Sequence, residues 1–273
     1  MKLIALLALS TTAFAGKAII DPPKEPEPRG YFQLESAVGD DVFGGRARFG
    51  IIRPLPGIGL LADKGGKWQF RLGLDYERFE FSRTLALPSR LQRASGVVAL
   101  EYRVGKQIGV LLEARPGVYF ENDIASNAWN CPVLFGIGIP MNDRFALALA
   151  ARYNPFAENQ IIGGPGFIWK INDRLTLAAV PPEPRLTWAA SDTLDLWLGG
   201  EIAGGVFRTD RDTLVDYSDY RAGIGATWRQ GAWTLEAGAG VSFEQEWDFH
   251  QLGTTISADE AAPYFKLSLR SDW

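Results

Sequence analysis

The chain has 273 residues, a net charge of −4, 30 glycines, 9 tryptophans and 1 cysteine. It carries no basic excess to suggest nucleic acid, and a lone cysteine excludes an internal disulfide and any Cys-based metal cluster. Aromatic residues reach 12% while mean hydropathy is only −0.05, the combination expected where apolar and polar residues alternate along strands.

The chain opens with Lys2, the apolar run Leu3 to Leu9, and Ala13-Phe14-Ala15 before Gly16. This order reads as a secretory signal over 1–15, removed after Ala15, which directs the protein out of the cytoplasm. No cysteine follows the cut site to carry a lipid. Residues 16–30 hold Pro22, Pro23, Pro26 and Pro28 among charged residues and read as an extended periplasmic linker. Beyond Ala15 no run approaches the roughly 18 to 20 apolar residues of a membrane helix. Any membrane passage must therefore use strands.

From Tyr31 the hydrophobic period is two. Trp68, Phe70, Leu72, Leu74 and Tyr76 alternate with Gln69, Arg71, Gly73, Asp75 and Glu77. The same test predicts strands near 31–38, 43–54, 67–81, 92–103, 107–119, 128–140, 144–153, 160–170, 174–180, 184–190, 194–207, 217–228, 232–247 and 261–272. The fold class is all-β: a transmembrane antiparallel up-and-down β-barrel of about 12 to 14 strands occupying 31–273.

Short turns at 104–106, 141–143, 171–173, 190–192 and 229–231 alternate with longer loops at 82–91, 120–127, 154–159, 208–216 and 248–260. Barrels of the outer membrane have short periplasmic turns and long outer loops. The segment 55–66 is long on the short-turn side, and its Ile58, Leu60 and Leu61 suit an interfacial segment. An aromatic girdle of Trp68, Tyr102, Phe145, Trp169, Trp188, Trp228 and Trp233 is expected on the outward face near the periplasmic ends. A second girdle, including Phe120, Trp129, Tyr153, Tyr220 and Phe243, is expected toward the other ends. A soluble β-sandwich would bury these rings instead. Phe265, Leu267, Leu269 and the final Trp273 form a terminal strand resembling the signal that such barrels present to their assembly machinery, although Ser271 departs from its usual apolar residue.

The runs Asn154-Pro155 through Gly163-Gly164-Pro165-Gly166, Trp169-Lys170-Ile171-Asn172-Asp173, Pro184-Arg185-Leu186-Thr187-Trp188 and Leu196-Trp197-Leu198-Gly199-Gly200-Glu201 resemble the uncharacterised porin-like family of outer-membrane β-barrels. The resemblance covers most of the mature chain. It implies location and architecture but no reaction.

No catalytic, cofactor or metal site is expected. His250 is the only histidine, set in the last outer loop with no obvious serine partner, and reads as a solvated loop residue. Asp210, Asp212, Asp216 and Asp219 form an acidic outer loop without the glycine and terminal glutamate of the helical calcium loop. Divalent cations could bridge such a loop to lipopolysaccharide phosphates. Gly163-Gly164-Pro165-Gly166 lies in a strand pattern and is no phosphate cradle. Cys131 shares the outward parity of Trp129, Val133 and Phe135 and is expected to face lipid.

The opposite face carries Arg46, Arg48, Arg71, Asp75, Glu77, Arg93, Glu101, Arg103, Glu113, Arg115, Arg152, Arg185, Asp195, Glu201, Arg221, Glu236, Glu244, Lys266 and Arg270. An arginine at the lipid midplane costs roughly 2–4 kcal/mol, so these residues are expected to line a lumen. The expected function is a porin-like channel for small polar or anionic solutes in the outer membrane of a Gram-negative-type bacterium. Its expected partners are membrane lipid, lipopolysaccharide and the barrel assembly machinery. The alternative is a closed structural or surface-binding barrel whose charges pair across the lumen. A lipid enzyme ranks third.

Overall fold

A computed structural model describes residues 29–39, 42–55, 66–81, 87–104 and 108–273. The export signal, nearly all of the proline-rich linker and most of the 55–66 segment lie outside the described residues. Antiparallel pairing carries β1 (Arg29–Gly39) to β2 (Val42–Leu55), β3 (Gly66–Phe81) and β4 (Arg90–Val104). β4 then pairs with β5 (Ile108–Ala114) and β6 (Gly117–Phe120), which pair with β8 (Val133–Pro140) and β7 (Trp129–Asn130) respectively. Next come β9 (Phe145–Tyr153), β10 (Ile161–Lys170), β11 (Leu175–Ala179), β12 (Arg185–Ala189), β13 (Leu194–Arg208), β14 (Leu214–Gln230) and β15 (Trp233–Phe249). β15 pairs with β16 (Thr254–Ala258) and β17 (Ala262–Asp272), and β17 returns to β1.

The wall is therefore closed. Gly30 N–H donates to Trp273 O at 2.6 Å and Trp273 N–H to Gly30 O at 3.1 Å, so the last residue completes the seam. Taking β5 with β6, β7 with β8, and β16 with β17 as single staves, the barrel has 14 strands. No described helix is long and apolar enough to cross a membrane.

The expected strands at 107–119 and 128–140 are each broken, because Pro116 and Pro132 cannot donate to a ladder. At the end opposite the termini, the far end, β14 and β15 run longer than their patterns predicted. The expected loop 248–260 there contains β16. β1 ends at Gly39 and β2 starts at Val42, so this far-end connection is short, against the expected alternation.

The outward face is apolar. Leu34, Phe49, Leu74, Leu149, Leu198, Ile224, Phe265 and Leu267 are all exposed, as a lipid-facing belt requires. Trp169, Trp188, Trp228 and Trp233 are exposed near the termini. Trp68 and Tyr102 are half-buried because their rings contact at 4.5 Å, and Phe145 packs on Phe167 at 5.9 Å. At the far end Trp129, Tyr153 and Phe243 are exposed. Phe120, expected beside them, is buried: β6 leans inward until Phe120 pairs with Arg208 of β13.

That inward lean depends on Gly204. Its φ is +134°, and a Cβ there would lie 2.0 Å from the Tyr217 carbonyl oxygen. Glycine alone tolerates this backbone. The far end of β13 thus leaves the wall line and crosses to β6, while β7 to β10 are left outside the narrowed ring.

Candidate functional site

Strand periodicity sends every second side chain inward, and the inward row of β3 shows the layering of the interior. Asp75 and Glu77 are each 2% exposed, and Phe79 and Phe81 follow toward the far end, also buried. A charged belt therefore lies beneath an aromatic cap.

In the belt, Arg46 Nε donates to Glu77 Oε1 at 2.8 Å and Arg48 Nε to Asp75 Oδ1 at 3.2 Å. Asp75 Oδ2 also accepts from Arg93 at 3.0 Å and Arg115 at 2.7 Å. Glu113 accepts from Arg115 at 2.7 Å and Arg71 at 2.6 Å. On the other wall, Arg185 makes a two-pronged contact with Glu236, both bonds 2.9 Å, and stacks 4.3 Å over the Trp197 ring. Arg221 Nε donates to Asp219 Oδ2 at 2.7 Å, and Lys266 Nζ to Glu201 Oε2 at 2.9 Å.

Two carboxylates absent from the expected set join the walls. Glu35 lies 3.7 Å from both Arg46 and Lys266, and Glu183 lies 3.2 Å from Arg185 and 3.9 Å from Lys266. The network thus runs without a break from Glu113 through Asp75, Arg46, Glu35 and Lys266 to Arg185 and Glu236, joining the two walls across the lumen. Burying so many charges is tolerable only because each meets an opposite charge. Closer to the termini the interior is more open: the Glu101 and Arg103 side chains are each 25% exposed, while Arg270 pairs with Asp272 and Arg229 with Asp195.

The cap is built from Val42, Phe79, Phe81, Leu91, Tyr119, Phe207, Val215, Tyr217, Trp247 and Phe249, with Leu87, Phe156 and Ile256 around it. These come from β2, β3, β4, β6, β13, β14 and β15, so the cluster spans the mouth instead of coating one wall. Tyr217 sits at its centre, fully buried, with Phe79, Phe81 and Trp247 rings at 5.2, 4.9 and 5.3 Å. Phe79 and Phe81 meet Tyr217 edge to face, a geometry that adds to the area term.

A loop clasp roofs the cap. Asn122 Nδ2 donates to Asp210 Oδ2 at 2.7 Å, Asp210 N–H to Glu121 Oε2 at 3.0 Å, and Asn127 Nδ2 to Asp212 Oδ1 at 2.6 Å. Burial raises the Glu121 carboxyl above the ordinary range. Burial acts the same way on Asp210, but hydrogen bonds from the Asn122 side chain and the Asn122 and Asp123 backbone hold it below that range.

Two sequence expectations need correction. Asp216 and Asp219 do not belong to an acidic outer loop: both lie within β14, Asp216 half-buried and Asp219 0% exposed inside the barrel, bonded to Arg221 and to Ser242 Oγ at 2.6 Å. Glu244 does not follow the inward parity, because a register shift leaves Phe243 as an extra residue and sets Glu244 opposite Tyr220 on the outer face. Arg152 lies apart from the belt, between layers at the far end. Cys131 is half-buried, and His250 begins a short 3-10 turn after β15. Among the described residues no group of three or more His, Cys, Asp or Glu side chains is placed to hold a metal. The inward aromatics were missed, although they continue the parity of the charged rows.

The chain is similar in architecture to a mutant of the Rh. blastica porin, with 11% identity over 90% of this chain and 99% of that one and a TM-score of 0.41. It is also similar to an outer membrane channel from Pseudomonas putida F1, with 11% identity over 92% and 97% of the two chains and a TM-score of 0.47. No family model and no curated protein matches it. The closed all-β wall and apolar belt of this chain define a porin-like transmembrane barrel of the outer-membrane type.

Proposed function

We propose that this chain is an outer-membrane channel for small polar or anionic solutes that rests closed. The layering of the interior carries the reading: a vestibule open toward the termini, a paired charge belt, and an aromatic cap held by loops. Fourteen staves enclose more width than the side chains of an eight-stranded barrel fill. Within the belt, Arg48 Nη2, Arg71 Nε and Arg93 Nε are buried without a hydrogen-bond partner among the described residues, positions that water can complete. A hydrated, charge-lined passage under a displaceable cap suits polar solutes.

Among the lumen-facing residues, cations outnumber carboxylates along β2 to β6, and carboxylates outnumber cations along β12 to β17 once Glu35 and Glu183 are counted with them, giving a weak transverse field in which anions favour the first wall. The same reading sets the belt of leucines against lipid and lipopolysaccharide, and offers Phe265, Leu267, Leu269 and Trp273 to the assembly machinery after export through the N-terminal signal. Liposome swelling tests it. Wild-type protein should admit small sugars and amino acids slowly, and Tyr217→Ala combined with Trp247→Ala should admit them quickly. A folded double variant that stays impermeable would make the chain a sealed structural barrel.

A further inference from the structure

Where the far end of β13 turns inward, a cavity of about 40 Å³ separates β9 and β10 from β13 and β14. That volume is room for about three waters, or a compact ligand of a few heavy atoms. Arg152 and Asn154 line one side, and Asp216 and Ser218 the other. The Asn154 amide oxygen already accepts from Asn130 and from the Phe156 N–H. Arg152 and Asp216 have no hydrogen bond or ion pair among the described residues, and neither reaches the other within ion-pair distance.

Their surroundings make this pairing incomplete on both sides. Both residues are half-buried and line the cavity. Arg93 and Arg115 lie near enough to Arg152 to repel it, and Asp248 and Glu246 near enough to Asp216 to repel it. Each thus has like charges nearby and one opposite charge among the residues that line the cavity. A single anion would satisfy Arg152 but repel Asp216, and a single cation the reverse. A molecule carrying both charges a few ångströms apart satisfies both.

We propose that this cavity is a binding site for a small zwitterion, an α-amino acid of glycine or alanine size, whose carboxylate meets Arg152 and whose ammonium meets Asp216. The cavity lies between the narrowed ring and β9 and β10, with Gly204 and Tyr217 also in its lining, and its test reads ligand heat and not current, so its failure and the failure of the channel reading are distinguishable. Its outer rim is Ala157, Asn159 and Gln160 of the loop after β9, and the last two are exposed, which gives a ligand access from the far side.

Isothermal titration of the purified full-length barrel in detergent, with glycine, alanine, acetate and methylammonium as probes, decides the matter. Glycine or alanine should bind saturably and at least about tenfold more tightly than either single-charge probe. Arg152→Gln and Asp216→Asn should each weaken that binding about tenfold or more, with the heat-modifiable gel mobility of a folded barrel retained. No saturable glycine or alanine binding, or binding unchanged in both folded variants, would overturn the proposal and leave Arg152 and Asp216 as a water-bridged pair.

Discussion

Lys266 Nζ on β17 donates to Glu201 Oε2 on β13 at 2.9 Å, although β14 and β15 stand between these strands in the wall. The bond is a chord through the lumen. Lys266 also faces Glu35 and Glu183, so one ammonium compensates carboxylates from three parts of the barrel. Lys266→Met should leave them uncompensated and cost about 3–5 kcal/mol. Urea unfolding in lipid vesicles, followed by tryptophan fluorescence, reads this as a lowered midpoint. An unchanged midpoint would mean that water, not Lys266, neutralises the belt.

The exterior makes the opposite demand. Leu74 is 66% exposed midway along β3, where lipid is its solvent. Leu74→Arg should destabilise the folded barrel by roughly 2–4 kcal/mol in the same vesicles. Leu252→Arg, in the short turn after β15 where the native side chain is 60% exposed, should have almost no effect. Equal costs at the two positions would misplace the membrane along the barrel.

Gly204→Ala tests the bend in β13. The added methyl would meet the Tyr217 carbonyl, in a backbone region that L side chains rarely adopt. The variant should either fold with its stability lowered by about 1–3 kcal/mol, or straighten β13 and separate it from β6. A cysteine pair placed at Phe120 and Arg208, which are partners across this contact, should crosslink in the parent and not in a straightened variant. Undiminished stability together with undiminished crosslinking would remove Gly204 as the cause of the bend.

The loop clasp predicts a functional effect without a large energetic one. Asp210 joins the loop after β13 to the loop after β6, at an exposed position where hydrogen bonds add little stability. Asp210→Ala should leave the unfolding midpoint nearly unchanged and increase the frequency of brief openings in single-channel records. Records identical to those of the parent would show that the clasp does not hold the cap.

Much of this was legible in the residues. The alternation Trp68, Phe70, Leu72, Leu74 against Arg71, Asp75 and Glu77 carries both the strand and its two solvents, which is why the wall and the charged interior could be read directly. The aromatic cap was equally present: Asp75 and Glu77 share parity with Phe79 and Phe81, and Asp219 and Arg221 with Val215 and Tyr217. Its signal is weak because the cap rings occur at the depth of a girdle and differ from one only in parity. What periodicity could not show was where it breaks. The extra Phe243 turns Glu244 to the outer face, and the prolines at 116 and 132 split two staves. Gly204 redirects β13 through a dihedral that no hydrophobic pattern records. The meeting of Lys266 with Glu201, or of Arg185 with Glu236, follows from closure of the whole wall and has no local signature.

Single-channel recording in planar bilayers tests the closed-lumen channel most directly. Wild-type barrel should be silent or show rare, brief openings, and the Tyr217→Ala, Trp247→Ala variant should pass steady current, because the cap is then missing two of its central rings. A large, stable open-channel current from the wild type, or silence from the folded double variant at every voltage, would contradict it.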